Sequence, residues 1–182
     1  MTKNCNCCKG AHDFFEGLRG ANAGKTGLLL VLHHSDLRAL TPTLPGFGKY
    51  DTTLWQTSTG KILHKMLSFC SLSPDDVYIT NLIKCVFDRK LKPEDYDNCK
   101  LLLVEQMYNF GTRAIMLFGQ KPAQSMLCEK RLEDVLHKPS AWFGTPIMAF
   151  NHPSAPWLRS EEWARKEYDA AKRFLEEANV IR

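Results

Sequence analysis

The chain has 182 residues, 44% of them hydrophobic and 24% charged. That is enough to bury one full core and too evenly mixed for a disordered, fibrous or membrane-spanning protein. A formal charge of +4 at pH 7 is compatible with a polyanionic partner without demonstrating one. Residues 1–182 read as one domain without internal repeats, and the polar start Met1-Thr-Lys-Asn4 lacks an apolar signal segment. A cytoplasmic monomer with no membrane association is therefore expected.

In chain order, Gly20-Ala-Asn-Ala-Gly24-Lys25-Thr26 comes first and echoes a phosphate-binding loop. It has one residue too few between its glycines and precedes a strand, whereas such a loop follows one and opens a helix, so nucleotide hydrolysis is set aside. Gly27 to Leu32 is a continuous apolar run and predicts strand one, which ends in His33-His34-Ser35-Asp36. Thr41-Pro-Thr-Leu-Pro-Gly-Phe-Gly48 has the composition of an active-site loop. Ser58 to Phe69 predicts a helix with apolar Ile62, Leu63, Met66 and Leu67. Ser73-Pro74-Asp75 then turns the chain into strand two, Val77 to Asn81.

Pro93 suits the first turn of a helix running to about Asn109, with Leu101, Leu102, Val104 and Met107 expected inward. Ala114 to Phe118 is strand three, Lys121 to Cys128 a short helix, Pro146 to Phe150 strand four, and Glu161 to Ala178 an amphipathic closing helix. Alternation of strands and helices predicts an α/β fold of three layers, α/β/α, around a central four-stranded parallel sheet. Open sheets of this kind carry their chemistry at the carboxyl ends of the strands. Those ends hold His33 to Asp36, Asn81, Gly119-Gln120 and Asn151-His152-Pro153-Ser154.

Seven cysteines are present, and Cys5-x-x-Cys8, Cys85 and Cys99 form a split set of four soft donors suited to tetrahedral zinc or an iron-sulfur cluster. Cys7 is an alternative ligand to Cys5 or Cys8, but the C-x-x-C spacing favours Cys5 and Cys8. Cys70 and Cys128 lie in apolar helical contexts and read as ordinary thiols.

Val77-Tyr-Ile-Thr-Asn-Leu-Ile-Lys-Cys85, Cys99, Cys5-x-x-Cys8, Leu117-Phe-Gly-Gln120 and His152-Pro-Ser154 together resemble the iron-sulfur branch, family 4, of the uracil-DNA glycosylase superfamily. The resemblance covers nearly the whole chain. It implies a [4Fe-4S] cluster on Cys5, Cys8, Cys85 and Cys99, with zinc as the alternative, and a DNA partner, single- or double-stranded. It assigns Asn81 to the uracil edge, Trp55, shortly before Ser58-Thr-Gly60, to stacking on a flipped base, and His152 to stabilising the departing base. Core packing is the equal alternative for Trp55.

These roles are physically coherent. A base must leave the helix to be cut, and an asparagine amide offers one donor and one acceptor to match O4 and N3–H of uracil. One motif departs from the family pattern. The acidic Gly-Glu-Ala-Pro-Gly-like segment after strand one is replaced by Leu32-His33-His34-Ser35-Asp36, leaving Asp36, His33 or His34 to handle water. A related branch traps DNA covalently through a histidine, but residues 86–98 contain none. The resemblance implies Trp157 or Leu158 as a wedge into the duplex, with Arg159 and Ser154 on phosphates, and a loop packing its tryptophan on the last helix is the equal alternative. Lys84, Arg89, Lys90 and Lys92 form either a phosphate-binding rim or a solvated basic face.

The expected activity is hydrolysis of the N-glycosidic bond of uracil or a related modified pyrimidine in DNA, as in base excision repair. The alternatives are a catalytically silent DNA-binding or replication-associated protein that keeps fold and cluster, and an enzyme acting on hypermodified pyrimidines.

Overall fold

A computed structural model describes residues 11–14, 18–34, 54–87, 89–129 and 131–182. Its strands are β1 (Ala11–Phe14), β2 (Leu18–Arg19), β3 (Leu28–His34), β4 (Val77–Ile83), β5 (Cys85–Phe87), β6 (Ala114–Phe118), β7 (Ser140–Trp142) and β8 (Thr145–Phe150). The α-helices are α1 (Ala23–Thr26), α2 (Ser58–Phe69), α3 (Pro93–Phe110), α4 (Gln120–Leu127) and α5 (Glu161–Glu177). The main sheet runs β2-β4-β3-β6-β8-β7, and its four inner strands are all parallel. These four are the expected strands one to four. The edges β2 and β7 run antiparallel and were not expected.

Why β7 escaped the sequence is local. Phe143 and Gly144 both take positive φ (47° and 81°), joining β7 to β8 by a two-residue turn of the mirror-image type that matches strand twist. Phenylalanine is not a usual first residue for such a turn, so the hairpin carried little signal. A separate ribbon pairs β1 with β5, setting Ala11 opposite Phe87 and Phe14 opposite Cys85.

Side chains alternate across the inner strands and feed two apolar layers. Leu28, Leu30, Leu32, Val77, Ile79, Met116, Phe118, Met148 and Phe150 pack with α2 and α5, through Leu63, Met66, Leu67, Ala170, Ala171, Phe174 and Leu175. Leu29, Val31, Tyr78, Leu82, Ile115, Leu117, Ile147 and Ala149 pack on the opposite side with α3 and α4, through Leu103, Met107, Phe110, Ala123 and Met126. The three-layer α/β/α architecture follows directly. A sheet covered on both faces accounts for the unbroken apolar runs in β3 and β6.

Helix α3 corrects one expectation. Its buried stripe is Cys99, Leu103, Met107 and Phe110, whereas Leu101 is 72% exposed and Val104 also faces outward. The run Leu101-Leu102-Leu103 left the helical phase ambiguous, and packing selected Leu103. Leu103→Ala is therefore expected to cost about 3 kcal/mol, as deletion of a fully buried leucine side chain does, and Leu101→Ala less than about 0.5 kcal/mol. Urea unfolding of both variants measures the contrast, and equal costs would refute the assignment of faces.

Candidate functional site

The carboxyl ends of β4, β3, β6 and β8 line up along one edge, with Asn81 opposite Leu32 in the β3–β4 register. Asn81 is buried and follows Val77 and Ile79 in strand alternation, which places it on the α2/α5 side of the sheet. Trp55 packs against that same apolar layer, and its ring meets His64 edge-on at 6.2 Å between centroids. The Ser58-Thr-Gly60 pair has a steric explanation. A Cβ on Gly60 would lie 2.7 Å from Trp55 Cα, so only glycine lets the Leu54–Trp55 backbone cross the first turn of α2. Thr57 caps that turn, its Oγ1 accepting from the Gly60 amide (3.0 Å) and donating to the Leu54 carbonyl (2.7 Å).

His152 comes to the same edge from β8. Gly119, at φ 92°, closes β6, and a Cβ there would stand 3.2 Å from His152 Cβ and 3.5 Å from its Cδ2. The missing side chain lets the imidazole lean over the end of β6, toward the middle of the sheet. Its tautomer follows from its partners. The Ser154 amide lies 3.2 Å from His152 Nδ1 and can only donate, so Nδ1 accepts and Nε2 carries the hydrogen. Ser154 Oγ is 2.7 Å from the same nitrogen and adds a second donor to it. Burial pushes the His152 imidazole below its ordinary value, favouring the neutral ring that this bonding requires.

The histidine after strand one is placed differently. His33 is half-buried and belongs by alternation to the α3 side of the sheet, where its ring stacks on Tyr96 at 5.9 Å and its Nε2 meets the Tyr96 hydroxyl at 3.0 Å. Burial, and then the neighbouring Asp95, push the Tyr96 hydroxyl up, so it keeps its proton and can donate to His33. His33 and Asn81 therefore do not share a face. His34 closes β3, and its side chain, like Asp36, lies outside the described residues.

Lys84 also corrects its reading as part of a phosphate rim. It is 1% exposed, and its ammonium donates to Thr80 Oγ1 (2.6 Å) and to the Asn81 main-chain carbonyl (2.5 Å). Its backbone amide approaches Cys99 Sγ at 3.5 Å. Arg89 is engaged as well, gripping Asp95 with both terminal nitrogens at 2.8 Å and lying over the Phe87 ring. Lys90 and Lys92 remain on the surface. Among the wedge candidates, Leu158 is 5% exposed and belongs to the core, while Trp157 is 51% exposed and Arg159 faces outward.

Two of the four proposed metal ligands fall within the described residues. Cys85 and Cys99 are both buried, and the Lys84 amide directed at Cys99 sulfur is the donor a thiolate ligand requires. Cys5 and Cys8 lie outside the described residues, and no group of three or more metal-ligating side chains occurs among those described. The β1–β5 ribbon nevertheless brings Ala11 beside Phe87, and the three residues from Cys8 to Ala11 span at most about 10 Å. Four cysteine thiols have the chemistry a cluster needs, and the two that are described, Cys85 and Cys99, are both buried. Cys70, by contrast, is buried and its thiol is pushed up to about 11, chiefly by burial, which makes it inert. Cys128 is exposed at the end of α4.

The sequence reading named Gly119 only at a strand end and Lys84 only in a basic rim, and it did not name Tyr96, so the contacts of all three were missed. Their roles depend on neighbours distant in the chain. Only the glycine in Phe118-Gly119-Gln120 carried a local sign, because a strand-to-helix turn without a spare residue favours positive φ.

The His152 assignment has a measurable consequence. As pH falls, the unfolded chain protonates this imidazole before the folded one does, so its contribution to stability is complete above pH 6.5 and is lost below it. Urea unfolding at pH 7.5 and 5.5 is expected to show a smaller pH dependence in His152→Gln than in the parent. Identical dependences would contradict a half-buried neutral ring.

Comparison with known proteins adds two findings. The chain matches the sequence model of the Uracil DNA glycosylase superfamily over residues 11–178. It is also similar to the Type-4 uracil-DNA glycosylase of Archaeoglobus fulgidus, 28% identical over 124 residues. That alignment covers 62% of this chain and 61% of the relative, so the chain matches less than two thirds of the relative's length. No helix among the described residues is long and apolar enough to cross a membrane. With a match that takes in β1 through α5, the chain belongs to the uracil-DNA glycosylase superfamily.

Proposed function

We propose that this protein hydrolyses the N-glycosidic bond of uracil, or of a related modified pyrimidine, in DNA. The observation that carries the reading is the Ser154 amide on His152 Nδ1, which leaves Nε2 to donate, at the sheet edge that also holds buried Asn81. Superfamily membership and the Type-4 relative support it.

In this mechanism the target base leaves the DNA stack and enters the α2/α5 side of the edge. Asn81 accepts from N3–H and donates to O4, a pattern that cytosine cannot match. Trp55 covers the base face. As the C1′–N1 bond breaks, the bonding electrons pass to the pyrimidine, and the His152 Nε2–H stabilises the charge arising at O2. Water supplies hydroxyl to C1′, and its proton leaves with the base or solvent. Neutral His152 suits this role because it already presents its donor and needs no reorganisation. Trp157 fills the vacated stack, and Arg159 meets the backbone. His33 is not assigned to water activation, because it is engaged by Tyr96 on the opposite face. That engagement favours a second reading, a DNA-binding protein of this fold that does not cleave.

A uracil-containing oligonucleotide, treated with alkali after incubation, separates the two. Strand scission is expected, with Asn81→Ala lowering kcat/KM by about 100-fold or more and His152→Ala lowering kcat by about 100- to 1000-fold. Intact strands with undiminished DNA binding would establish the second reading.

Cys5, Cys8, Cys85 and Cys99 are proposed to hold the [4Fe-4S] cluster. Bound there, it supplies a covalent staple between the amino-terminal segment, β5 and α3, with no redox part in base removal. Purified protein is expected to be brown and to contain about four irons per chain, with Cys99→Ser losing iron and melting earlier. A colourless protein loaded with zinc would overturn the cluster and keep the ligand set.

A further inference from the structure

His152 is the second residue after β8, and the first is held more tightly than a loop exit requires. The Asn151 side-chain amide donates to Glu167 Oε1 at 2.6 Å, and its main-chain amide donates to Glu167 Oε2 at 3.2 Å. Glu167 stands on α5 and is 3% exposed. A third nitrogen approaches the same carboxylate, His137 Nε2, 3.0 Å from Oε1, at ion-pair distance but off the hydrogen-bond line. His137 reaches it from a left-handed backbone (φ 55°), with its own amide on the Ala149 carbonyl and its ring 5.6 Å from Phe150. All three nitrogens thus come from the residue just after β8 or from the segment running beside that strand.

Docking of α5 does not explain a buried carboxylate here. Ala170, Ala171, Phe174 and Leu175 already seat the helix in the apolar layer, and a buried ion is a poor source of net stability compared with an apolar residue of similar size. What the carboxylate does supply is orientation, because two acceptor oxygens on two amides of one residue leave it little freedom. The next residue inherits that constraint. On one flank Gly119 leaves room for the imidazole, and on the other the Ser154 amide holds Nδ1.

We propose that Glu167 is a positioning residue for His152, acting through Asn151 to fix where β8 releases the chain and hence where the Nε2–H points. The consequence for base cleavage rests on the glycosylase reading above, whereas the effect on the imidazole does not. Both can be measured in the full-length protein. Glu167→Gln keeps the shape but sets an amide nitrogen against one of its donors, and Asn151→Ala removes the side-chain arm alone. Lys166→Gln, which alters only surface contacts of α5 with Glu162 and the Trp163 ring, is the control.

In ¹⁵N-labelled protein, His152 of the parent and of the control is expected to show one tautomer, protonated at Nε2. Glu167→Gln and Asn151→Ala are expected to show averaging of the two ring nitrogens. On uracil-containing DNA both variants should lose about 10- to 100-fold in kcat, with KM within about twofold of the parent. In a His152→Ala background Glu167→Gln should lower kcat no further. Unchanged His152 nitrogens in either folded variant would overturn the proposal, as would a kcat loss that persists in the His152→Ala background. A parent protein inactive on uracil DNA would sink the glycosylase reading, and the nitrogen signals would still decide the role of Glu167.

Discussion

Side chains on β3 and β4 alternate across a sheet that is covered on both faces, and this alternation decides which polar groups can meet. Parallel pairing brings the four inner strands to a common edge. The pleat then divides that edge into two compartments. Asn81 falls on the α2/α5 side, with Trp55 packed against the same layer. His33, one residue beyond the register partner of Asn81, turns to the α3 side and meets Tyr96. A shift of one residue would exchange the two, because the side-chain period in a strand is two.

The α3 side has its own logic. Thr80, Lys84, Cys99 and Gln106 are linked there, with Thr80 Oγ1 receiving the Lys84 ammonium and donating to Gln106 Oε1 at 3.2 Å. Lys84 is where the two compartments communicate. Its ammonium holds the main-chain carbonyl of Asn81, the proposed base reader, and its amide faces the sulfur of a proposed cluster ligand. A buried lysine between these groups joins the Cys99 side of the sheet to the strand that carries Asn81.

At the far end of the edge, precision comes from what is absent as much as from what is present. Gly119 contributes no side chain, and the imidazole leans into that space. The Ser154 amide, the Ser154 hydroxyl and the Asn151–Glu167 pair then restrict the loop from three directions. A preorganised donor stabilises developing charge more effectively than a mobile one, since nothing must be rearranged while the bond breaks. Under the proposed glycosylase activity, this gives the loop a physical reason to be stiff.

Much of the architecture was legible from residue order. Apolar runs such as Gly27 to Leu32 and Ala114 to Phe118 announce strands buried on both faces, and Pro93 and the Ser73-Pro74 turn mark element starts within a residue or two. Candidate ligands and readers, Asn81, His152, Cys85 and Cys99, were visible because their residue types and spacing are chemically specific. The edge strands β2 and β7 were not, being two and three residues long and stabilised by pairing rather than propensity. Nor could the sequence determine that Leu103 rather than Leu101 enters the core, that Lys84 is buried instead of rimming a DNA site, or that Glu167 reaches back to Asn151. By itself, residue order determined local conformation and the inventory of chemical groups, since both follow from patterns within a few residues. Tertiary structure alone decided which groups face one another, because burial, register and long-range hydrogen bonds depend on segments far apart in the chain.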